Sequence, residues 1–286
     1  MYAALRKIGH GGDGIVTAQL DALFDNDTLR TLPLADRGVI TEMLEKALHD
    51  VIDVVQPDLF VEIGAFEAAF SLAMRLRHPQ ARVIAFEGNP RVAERFGPKA
   101  RVAGVDYRAG AVADADGDVT FNIVDVVAGK DMPHENRMGS LHDLGLRDSR
   151  TTPVTVPGMR LDTVLGDVPA SRACLWIDVE GAATAVVRGA AQSLARTAIV
   201  YCELESREVW KEQDLAPAVV QMLAEAGFVM VARDCQKWFQ KNCLFLRPAL
   251  AATPAVQAII ARYTDAARRS FTTAAAAFTD TPAAKP

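Results

Sequence analysis

Residues 59–65 read LFVEIGA, a run of apolar side chains interrupted by one acid and followed by a glycine that leads into a helical pattern. A short apolar run of this kind is typical of a strand buried on both faces, as in parallel sheets whose strands alternate with helices. Gly64 permits a close approach of the backbone, and the start of the next helix offers free N–H groups. The stretch therefore predicts the first strand of an α/β domain, with a ligand site where the strand ends.

Short apolar runs and longer amphipathic stretches alternate along the rest of the chain. Strands are predicted at 82–87, 102–107 with an exit loop at 110–112, 119–123, 154–156, 173–178, 198–203, 228–232 and 242–246, the last two forming an antiparallel pair. Helices are predicted at about 67–77, from 89 onward, and at 161–165, 182–194 and 215–226. This alternation predicts a doubly wound α/β fold with a mostly parallel sheet, in which ligands bind beyond the carboxyl ends of the strands.

The flanking segments differ from this central pattern. Residues 1–56 predict a helical N-terminal cap, with helices at about 15–24 and 37–55 that either pack on the sheet or cover a ligand cleft. Residues 57–247 form the predicted ligand-binding domain, and 248–286 a C-terminal helix and a flexible tail. Within the domain, a polar loop at 128–150 is long enough to suggest a functional role, such as closing over a substrate.

The composition excludes several classes of function. The 286 residues include 31 Lys and Arg against 36 Asp and Glu, a formal charge of -5, which disfavours binding to a nucleic-acid backbone. No apolar run approaches the roughly 20 residues needed to span a bilayer, and the N-terminus lacks the apolar core of a secretory signal. The cysteines show no metal-binding spacing, and we expect reduced packing residues in a cytoplasmic protein; they are Cys174, Cys202, Cys235 and Cys243.

The glycine pattern after the first strand argues for a ligand without phosphates. A dinucleotide fingerprint requires Gly-x-Gly-x-x-Gly, whereas residues 64–69 read GAFEAA. In addition, Glu67 at the start of the helix would repel a phosphate. S-adenosylmethionine, which has a cationic sulfonium, an amino-acid end and a ribose but no phosphate, fits these requirements.

Carboxylates at two further strand ends favour the same ligand. Glu87 ends the second predicted strand, where it can accept both hydroxyls of a ribose, although a single acid at such a place is also common on a surface. Asp178 and Glu180 lie two residues apart in WIDVEG (176–181). They can bind the amino end of the cofactor and orient or deprotonate an acceptor, or they can cap the following helix.

These segments together resemble the successive motifs of the FkbM family. The resemblance covers about 57–246 and rests on EIGA (62–65), AFEGNP (85–90), AVAD (111–114), GSL (139–141), LD (161–162) and IDVEGA (177–182). It implies a Rossmann-like sheet of the class I methyltransferase type with an antiparallel last strand. It also implies an S-adenosylmethionine-dependent O-methyltransferase acting on a hydroxyl of a sugar, a glycolipid or a polyketide-like small molecule.

The resemblance assigns roles to individual residues. The implied cofactor-binding residues are Glu62, Gly64, Ala65, Phe66, Glu67, Glu87, Gly88, Asn89, Ala111, Val112 and Asp178, and the catalytic candidates are Asp178, Glu180 and His142. The chain departs from the family pattern where Glu62 replaces Asp, Phe66 replaces Asn and Ala68 replaces a second Gly. No His-rich ligand set predicts a metal, although Asp178 and Glu180 could share a divalent ion.

Two other functions stay open at this point. A nicotinamide-dependent oxidoreductase could use the same fold, but the missing glycines and Glu67 oppose it. A non-catalytic or divergent nucleoside-binding protein would explain Phe66 and Ala68. The expected partner is a small-molecule hydroxyl acceptor, with no nucleic acid and no membrane span, and homo-oligomerisation stays open. Three aromatic side chains could stack on a sugar ring or serve as core or interface: Trp210, Trp238 and Phe239.

Overall fold

The computed structural model describes residues 34–235 and 237–279. The predicted helix at 15–24 and most of the predicted tail lie outside these residues. In chain order the elements are α1 (Leu34–Val55), β1 (Leu59–Ile63), α2 (Ala69–Arg77), β2 (Arg82–Glu87), α3 (Pro90–Val102), β3 (Asp106–Ala109), β4 (Ala111–Val112), β5 (Gly117–Val127), β6 (Lys130–Asp131), β7 (Gly139–Ser140), β8 (Arg150–Met159), α4 (Leu161–Leu165), β9 (Ala173–Ile177), α5 (Ala183–Arg188), α6 (Ala191–Ala195), β10 (Thr197–Glu205), α7 (Ala216–Glu225), β11 (Val229–Arg233), β12 (Gln240–Leu246), α8 (Pro248–Ala251) and α9 (Pro254–Thr279).

Two compact units make up the chain. One runs from Val55 to Phe228, and the other is made from the segments on either side of it. The predicted ligand-binding domain, 57–247, begins close to the start of the first unit, whereas its last strands, β11 and β12, fall in the second. They do so because their neighbours include the C-terminal helix: the Tyr263 hydroxyl of α9 donates a hydrogen bond to the carbonyl oxygen of Arg233 (2.5 Å).

The first unit contains a parallel sheet in the order β10-β9-β1-β2-β3. The chain builds outward from β1 through β2 to β3, and later returns to the other side of β1 with β9 and β10. The strand order therefore reverses between β1 and β9, which is the switch point of a doubly wound sheet. All five residues of β1 are buried, as the apolar run LFVEI predicts. The α/β fold with its mostly parallel sheet is confirmed.

A second, largely antiparallel sheet is inserted between β3 and β9. Its strands run in the order β4-β8-β5-β6, and β7 pairs with β5. The polar segment predicted as one loop, 128–150, thus contains the short strands β6 and β7. The core of this sheet includes Phe121 and Ile123 from β5 and Val156 from β8.

Three predicted boundaries are wrong for identifiable reasons. The strand predicted at 102–107 begins only at Asp106, because α3 continues through Pro98 to Val102, whose side chain is 90% exposed. The segment 110–112, predicted as an exit loop, supplies β4, which pairs with β8. The helix predicted at 182–194 is broken around Gly189, where an added Cβ would lie 2.1 Å from the carbonyl oxygen of Ala113.

The second unit, within its described residues, combines α1, the antiparallel pair β11 and β12, and the helices α8 and α9. The predicted antiparallel pair is confirmed. Asp234, which follows β11, accepts hydrogen bonds from the Thr41 hydroxyl of α1 (2.6 Å) and from the backbone N–H of Asn242 (2.7 Å). The role of the N-terminal segment as a cap stays a prediction. In the described part of the chain, we find no helix with the length and apolar character that a membrane span requires.

Candidate cofactor and active site

An open cleft lies at the carboxyl ends of β1, β2 and β9. The residues around it come from both sheets of the first unit. They are Ile63, Gly64, Phe66, Phe86, Glu87, Gly88, Asn89, Gly110, Ala111, Val112, Phe121, Asn136, Arg137, Gly139, Leu141, Asp178, Val179, Glu180 and Ala182. The cleft therefore occupies the switch point, where the strand order predicts a ligand.

Gly64 sets how closely the ends of β1 and β9 approach each other. Its φ is +83°, and an added Cβ would lie only 1.7 Å from the carbonyl oxygen of Asp178. The backbone N–H of Asp178 donates to the carbonyl oxygen of Ile63 (2.9 Å), so the contact between the two strands continues into the cleft. A side chain at position 64 would separate these strand ends.

Glu87 is buried at the end of β2, with 7% of its surface exposed. One carboxylate oxygen accepts the backbone N–H of Asn89 (2.7 Å), and the other accepts that of Phe66 (2.8 Å). Burial raises the pKa of Glu87 to about 7, the two hydrogen bonds oppose this effect, and the negative charge of Asp178 adds to it. A buried carboxylate of this kind gains stabilisation from a ligand that brings hydroxyl donors or positive charge.

Phe66 contributes to the site mainly through its backbone. It has a φ of +47°, its N–H binds Glu87, and its carbonyl oxygen accepts a hydrogen bond from the hydroxyl of Tyr107 (2.7 Å). Its ring lies 5.1 Å from that of Phe96 and 4.9 Å from the guanidinium carbon of Arg137. The family-pattern Asn is therefore replaced by an aromatic side chain without loss of the backbone contact to Glu87.

Asp178 and Glu180 line the same cleft but have different surroundings. Burial is the main cause that raises the pKa values of both Glu62 and Glu87, and the negative charge of Asp178 adds to the rise in each. Glu180 has a φ of +45°, and one of its carboxylate oxygens accepts the indole N–H of Trp210 (3.2 Å). Because Trp210 is fully buried, this hydrogen bond connects the half-buried Glu180 to the core.

Glu180 also belongs to a group of carboxylates. Its ligand atom and those of Glu203 and Glu205, at the end of β10, lie within 4.8 Å of one another. The sequence instead suggested Asp178 as the partner of Glu180 for a shared ion. Groups of acids like this one are common in proteins without a metal.

Four predicted site residues do not line the cleft: Glu62, Ala65, Glu67 and His142. Glu62 faces α2 instead, where its carboxylate accepts the backbone N–H of Ser71 (2.9 Å), because alternate residues of a strand point to opposite faces. The backbone N–H of His142 binds the hydroxyl oxygen of Ser140 (3.0 Å), and Glu67 lies 3.5 Å from Arg137. A role for any of the four in binding or catalysis stays a prediction.

Asn136 and Arg137 are cleft residues that the sequence did not predict. Neighbouring backbone groups hold Asn136 in place. Its side chain donates a hydrogen bond to the carbonyl oxygen of Val124 (2.8 Å) and accepts one from the backbone N–H of Met138 (2.8 Å). Both lie in a polar segment without periodicity, so the only signal was their position just before the GSL motif (139–141). Phe121 was missed in the same way, because its strand could not be assigned to the cleft.

Phe121 connects the inserted sheet to the parallel sheet. A Cβ added at Gly88, just after β2, would lie 2.4 Å from the ring of Phe121, and one added at Gly139 would lie 2.7 Å from it. Two glycines from different sheets thus pack against one aromatic ring. The wall of the cleft that β5 and β7 supply is held in place by this contact.

Comparisons with known proteins identify a family for this chain. Residues 53–230 match the family described as the methyltransferase FkbM domain. The 2-O-methyltransferase NoeI of Sinorhizobium fredii (strain NBRC 101917 / NGR234) is 25% identical over 201 residues, which cover 66% of this chain and 80% of NoeI.

Solved structures with detectable similarity are more distant. The methyltransferase FkbM from Methylobacillus flagellatus KT has a TM-score of 0.41 and 10% identity over 66% of this chain, and the match spans 43% of that longer protein. The N-terminal domain of EvdMO1, crystallised in the presence of SAH and D-fucose, has a TM-score of 0.40 and 13% identity over 72% of this chain and 82% of that domain.

Proposed function

Because the chain belongs to the methyltransferase FkbM family, we propose that it transfers a methyl group from S-adenosylmethionine to a hydroxyl oxygen of a small molecule. The acceptor class we propose is a sugar, a glycolipid or a polyketide-like compound. The observation that carries this proposal is the cleft at the switch point, where the buried Glu87 lies beside the acids Asp178 and Glu180.

The chemistry of the cleft fits S-adenosylmethionine. Each oxygen of Glu87 accepts one backbone N–H and keeps a lone pair that can accept a ribose hydroxyl. Asp178 and Glu180 offer negative charge to a ligand with an ammonium and a sulfonium group. Apolar side chains of Phe86, Val112 and Phe121 line the same cleft and can pack on an adenine ring.

In the proposed reaction the protein aligns two partners and accepts one proton. Bound S-adenosylmethionine supplies an electrophilic methyl group, which forms a bond to the acceptor oxygen as its bond to sulfur breaks. Asp178 or Glu180 orients the acceptor hydroxyl and takes up its proton. Walls supplied by both sheets limit the access of water and hold the reacting groups in line, which is the main source of rate in such displacements.

An oxygen acceptor is supported by one relative. NoeI is named a 2-O-methyltransferase, and the alignment covers 80% of its length. At 25% identity this supports the acceptor atom and leaves the compound to experiment. A panel of hydroxylated sugars, glycolipids and polyketides, assayed for release of S-adenosylhomocysteine, identifies it.

Calorimetry with S-adenosylmethionine tests the cofactor assignment. The Glu87→Ala variant should bind at least about tenfold more weakly, because the ribose hydroxyls lose their charged acceptor. Glu94→Ala, which removes an exposed carboxylate of α3, serves as the matched control and should bind like the wild type. Undiminished affinity of the Glu87 variant would contradict the assignment.

Turnover tests the role of the acid after β9. Asp178→Asn should reduce the rate by about 100-fold or more while its circular dichroism spectrum and melting temperature stay close to those of the wild type. A near-normal rate would refute a catalytic or cofactor-binding role for this carboxylate.

The non-catalytic alternative rests on Phe66 and Ala68, which depart from the family pattern. The backbone contact from Phe66 to Glu87 argues against an eroded site, since it is independent of the side chain. Failure of the wild type to bind S-adenosylmethionine at all would favour that alternative. The nicotinamide-dependent alternative is not supported, because the family is one of methyltransferases.

A further inference from the structure

The charges around the cleft are unequal in a way that matches the proposed cofactor. Among the described residues that line it, Glu87, Asp178 and Glu180 are acidic and Arg137 alone is basic. S-adenosylmethionine carries two positive groups, the sulfonium and the ammonium, and one negative group, the methionine carboxylate. The three acids can pair with the sulfonium and the ammonium group, and Arg137 is left to pair with the methionine carboxylate.

Arg137 lies next to the backbone that binds Glu87. Its guanidinium carbon is 4.9 Å from the centre of the Phe66 ring, and the N–H of Phe66 donates to Glu87 at 2.8 Å. A ligand that places its ribose on Glu87 and its amino-acid part along the segment after Gly64 therefore passes within reach of Arg137. The Phe66 side chain is apolar, so among the described residues lining this end of the cleft Arg137 offers the side chain that can bind an anion.

The present partner of Arg137 is weak enough to be exchanged. One guanidinium nitrogen lies 3.5 Å from Glu67, and the two side chains are 74% and 48% exposed. Ion pairs of this kind contribute little to stability in water. The backbone on either side is fixed, since Asn136 binds Val124 and Gly139 pairs with Ile123. The guanidinium can therefore turn toward a ligand while its backbone stays in place.

We propose that Arg137 binds the carboxylate of the methionine part of S-adenosylmethionine. The inference rests on the proposed function. The planar guanidinium presents parallel N–H groups that match both oxygens of a carboxylate, and its contact with the Phe66 ring places it beside the cleft.

Binding of two ligands that differ only in this carboxylate tests the inference. Calorimetry with S-adenosylmethionine and with decarboxylated S-adenosylmethionine requires no acceptor. Wild-type protein should prefer the first ligand by about 10- to 100-fold, the range expected for a charge-assisted hydrogen-bonded pair. Arg137→Gln should lose this preference through weaker binding of S-adenosylmethionine, with unchanged binding of the decarboxylated ligand. Arg137→Lys, which keeps the charge but loses the fork, should give an intermediate preference.

Arg95 provides a closely matched control. Its guanidinium also stacks on an aromatic ring, Phe96, at 5.2 Å, and also lies near an exposed acid, Glu135, at 3.6 Å, but Arg95 does not line the cleft. Arg95→Gln should therefore keep the wild-type preference. Equal weakening of both ligands in the Arg137 variants, or no weakening, would overturn the inference.

The failure of this inference can be told apart from that of the proposed function. Both ligands carry the ribose, so Glu87→Ala should weaken both of them. If the wild type binds neither ligand, the proposed cofactor itself is wrong. If both ligands depend on Glu87 and neither depends on Arg137, the cofactor stands and only the role of Arg137 is wrong.

Discussion

The free energy of unfolding of the wild type should fall as the pH rises through the pKa of Glu62, and the Glu62→Gln variant should not show this fall. The carboxylate of Glu62 is 5% exposed and accepts the backbone N–H of Ser71 at the start of α2. Burial raises the pKa of Glu62 to about 7 from 4.5; hydrogen bonds from Ser71 oppose this effect, and the charge of Asp178 adds to it. Between these two pH values the folded protein binds more protons than the unfolded chain, so its stability falls as the pH increases.

The size of the effect follows from the two pKa values. At about 1.36 kcal/mol per pH unit, the difference between 4.5 and about 7 corresponds to about 3.4 kcal/mol once titration is complete. Linkage places about 2.5 kcal/mol of this loss between pH 5 and pH 8. A glutamine side chain does not titrate, so the variant lacks this loss. Any cost of burying an amide in place of the carboxyl group is similar at both pH values and cancels in the comparison.

Urea unfolding of the wild type and of Glu62→Gln at pH 5 and pH 8 measures this difference. We expect the free energy of unfolding of the variant, relative to the wild type, to increase by about 2.5 kcal/mol from pH 5 to pH 8. Glu94→Gln, at an exposed position of α3, controls for the loss of a surface carboxylate and should show little change. The same relative stability of Glu62→Gln at both pH values would refute a protonated, buried Glu62.

Three further predictions concern the cleft. Gly64→Ala should lower the free energy of unfolding in urea by at least about 3 kcal/mol, because there is no room for the added Cβ. Gly129 has a similar φ of +76° but open space around it, so Gly129→Ala should lower it by only about 1 kcal/mol. Equal losses of stability in the two variants would contradict the argument. The affinity for S-adenosylmethionine should fall by up to about tenfold per pH unit below about pH 7. The reason is that burial raises the pKa of Glu87 to about 7 and the ligand binds the ionised carboxylate. The same affinity at pH 5 and pH 8 in calorimetry would exclude this role of Glu87. Trp210→Phe removes the indole N–H that the carboxylate of Glu180 accepts, so kcat/KM should fall by about tenfold, whereas an unchanged kcat/KM with a lower melting temperature would indicate a structural role only.

Strand positions in the parallel sheet could be predicted because both faces of each strand are buried. The apolar runs at 59–63 and 82–87 coincide with β1 and β2. Helix ends were harder, since they depend on tertiary contacts: at Gly189, where α5 ends, an added Cβ would lie 2.1 Å from the carbonyl oxygen of Ala113, a contact that the local pattern does not show. The prediction of a strand from Val102 was wrong, because an apolar residue at the exposed end of a helix has the same local pattern as the start of a strand.

The strand order alone brings three of the predicted site residues to the same edge of the sheet. Gly64, Glu87 and Asp178 follow strands that are neighbours in the sheet, so their proximity could be expected before the structure was known. Glu62 shows what the sequence leaves open, because the direction of a side chain at a strand end depends on the phase of the pleat. Arg137 lies in a segment without periodicity, and its proximity to Phe66 results from the pairing of β5 with β7 and β8.

The contact of Phe121 with Gly88 and Gly139 has a consequence for protein engineering. One wall of the cleft comes from the inserted sheet, and this ring joins that wall to the end of β2. Leu141, which lines the cleft from the side of the inserted sheet, can therefore be varied while the joint itself stays intact. Libraries randomised at this position, with Phe121, Arg137 and both glycines kept, would change this wall of the cleft without altering Glu87. The same separation gives natural selection a way to change substrate while the cofactor site is retained.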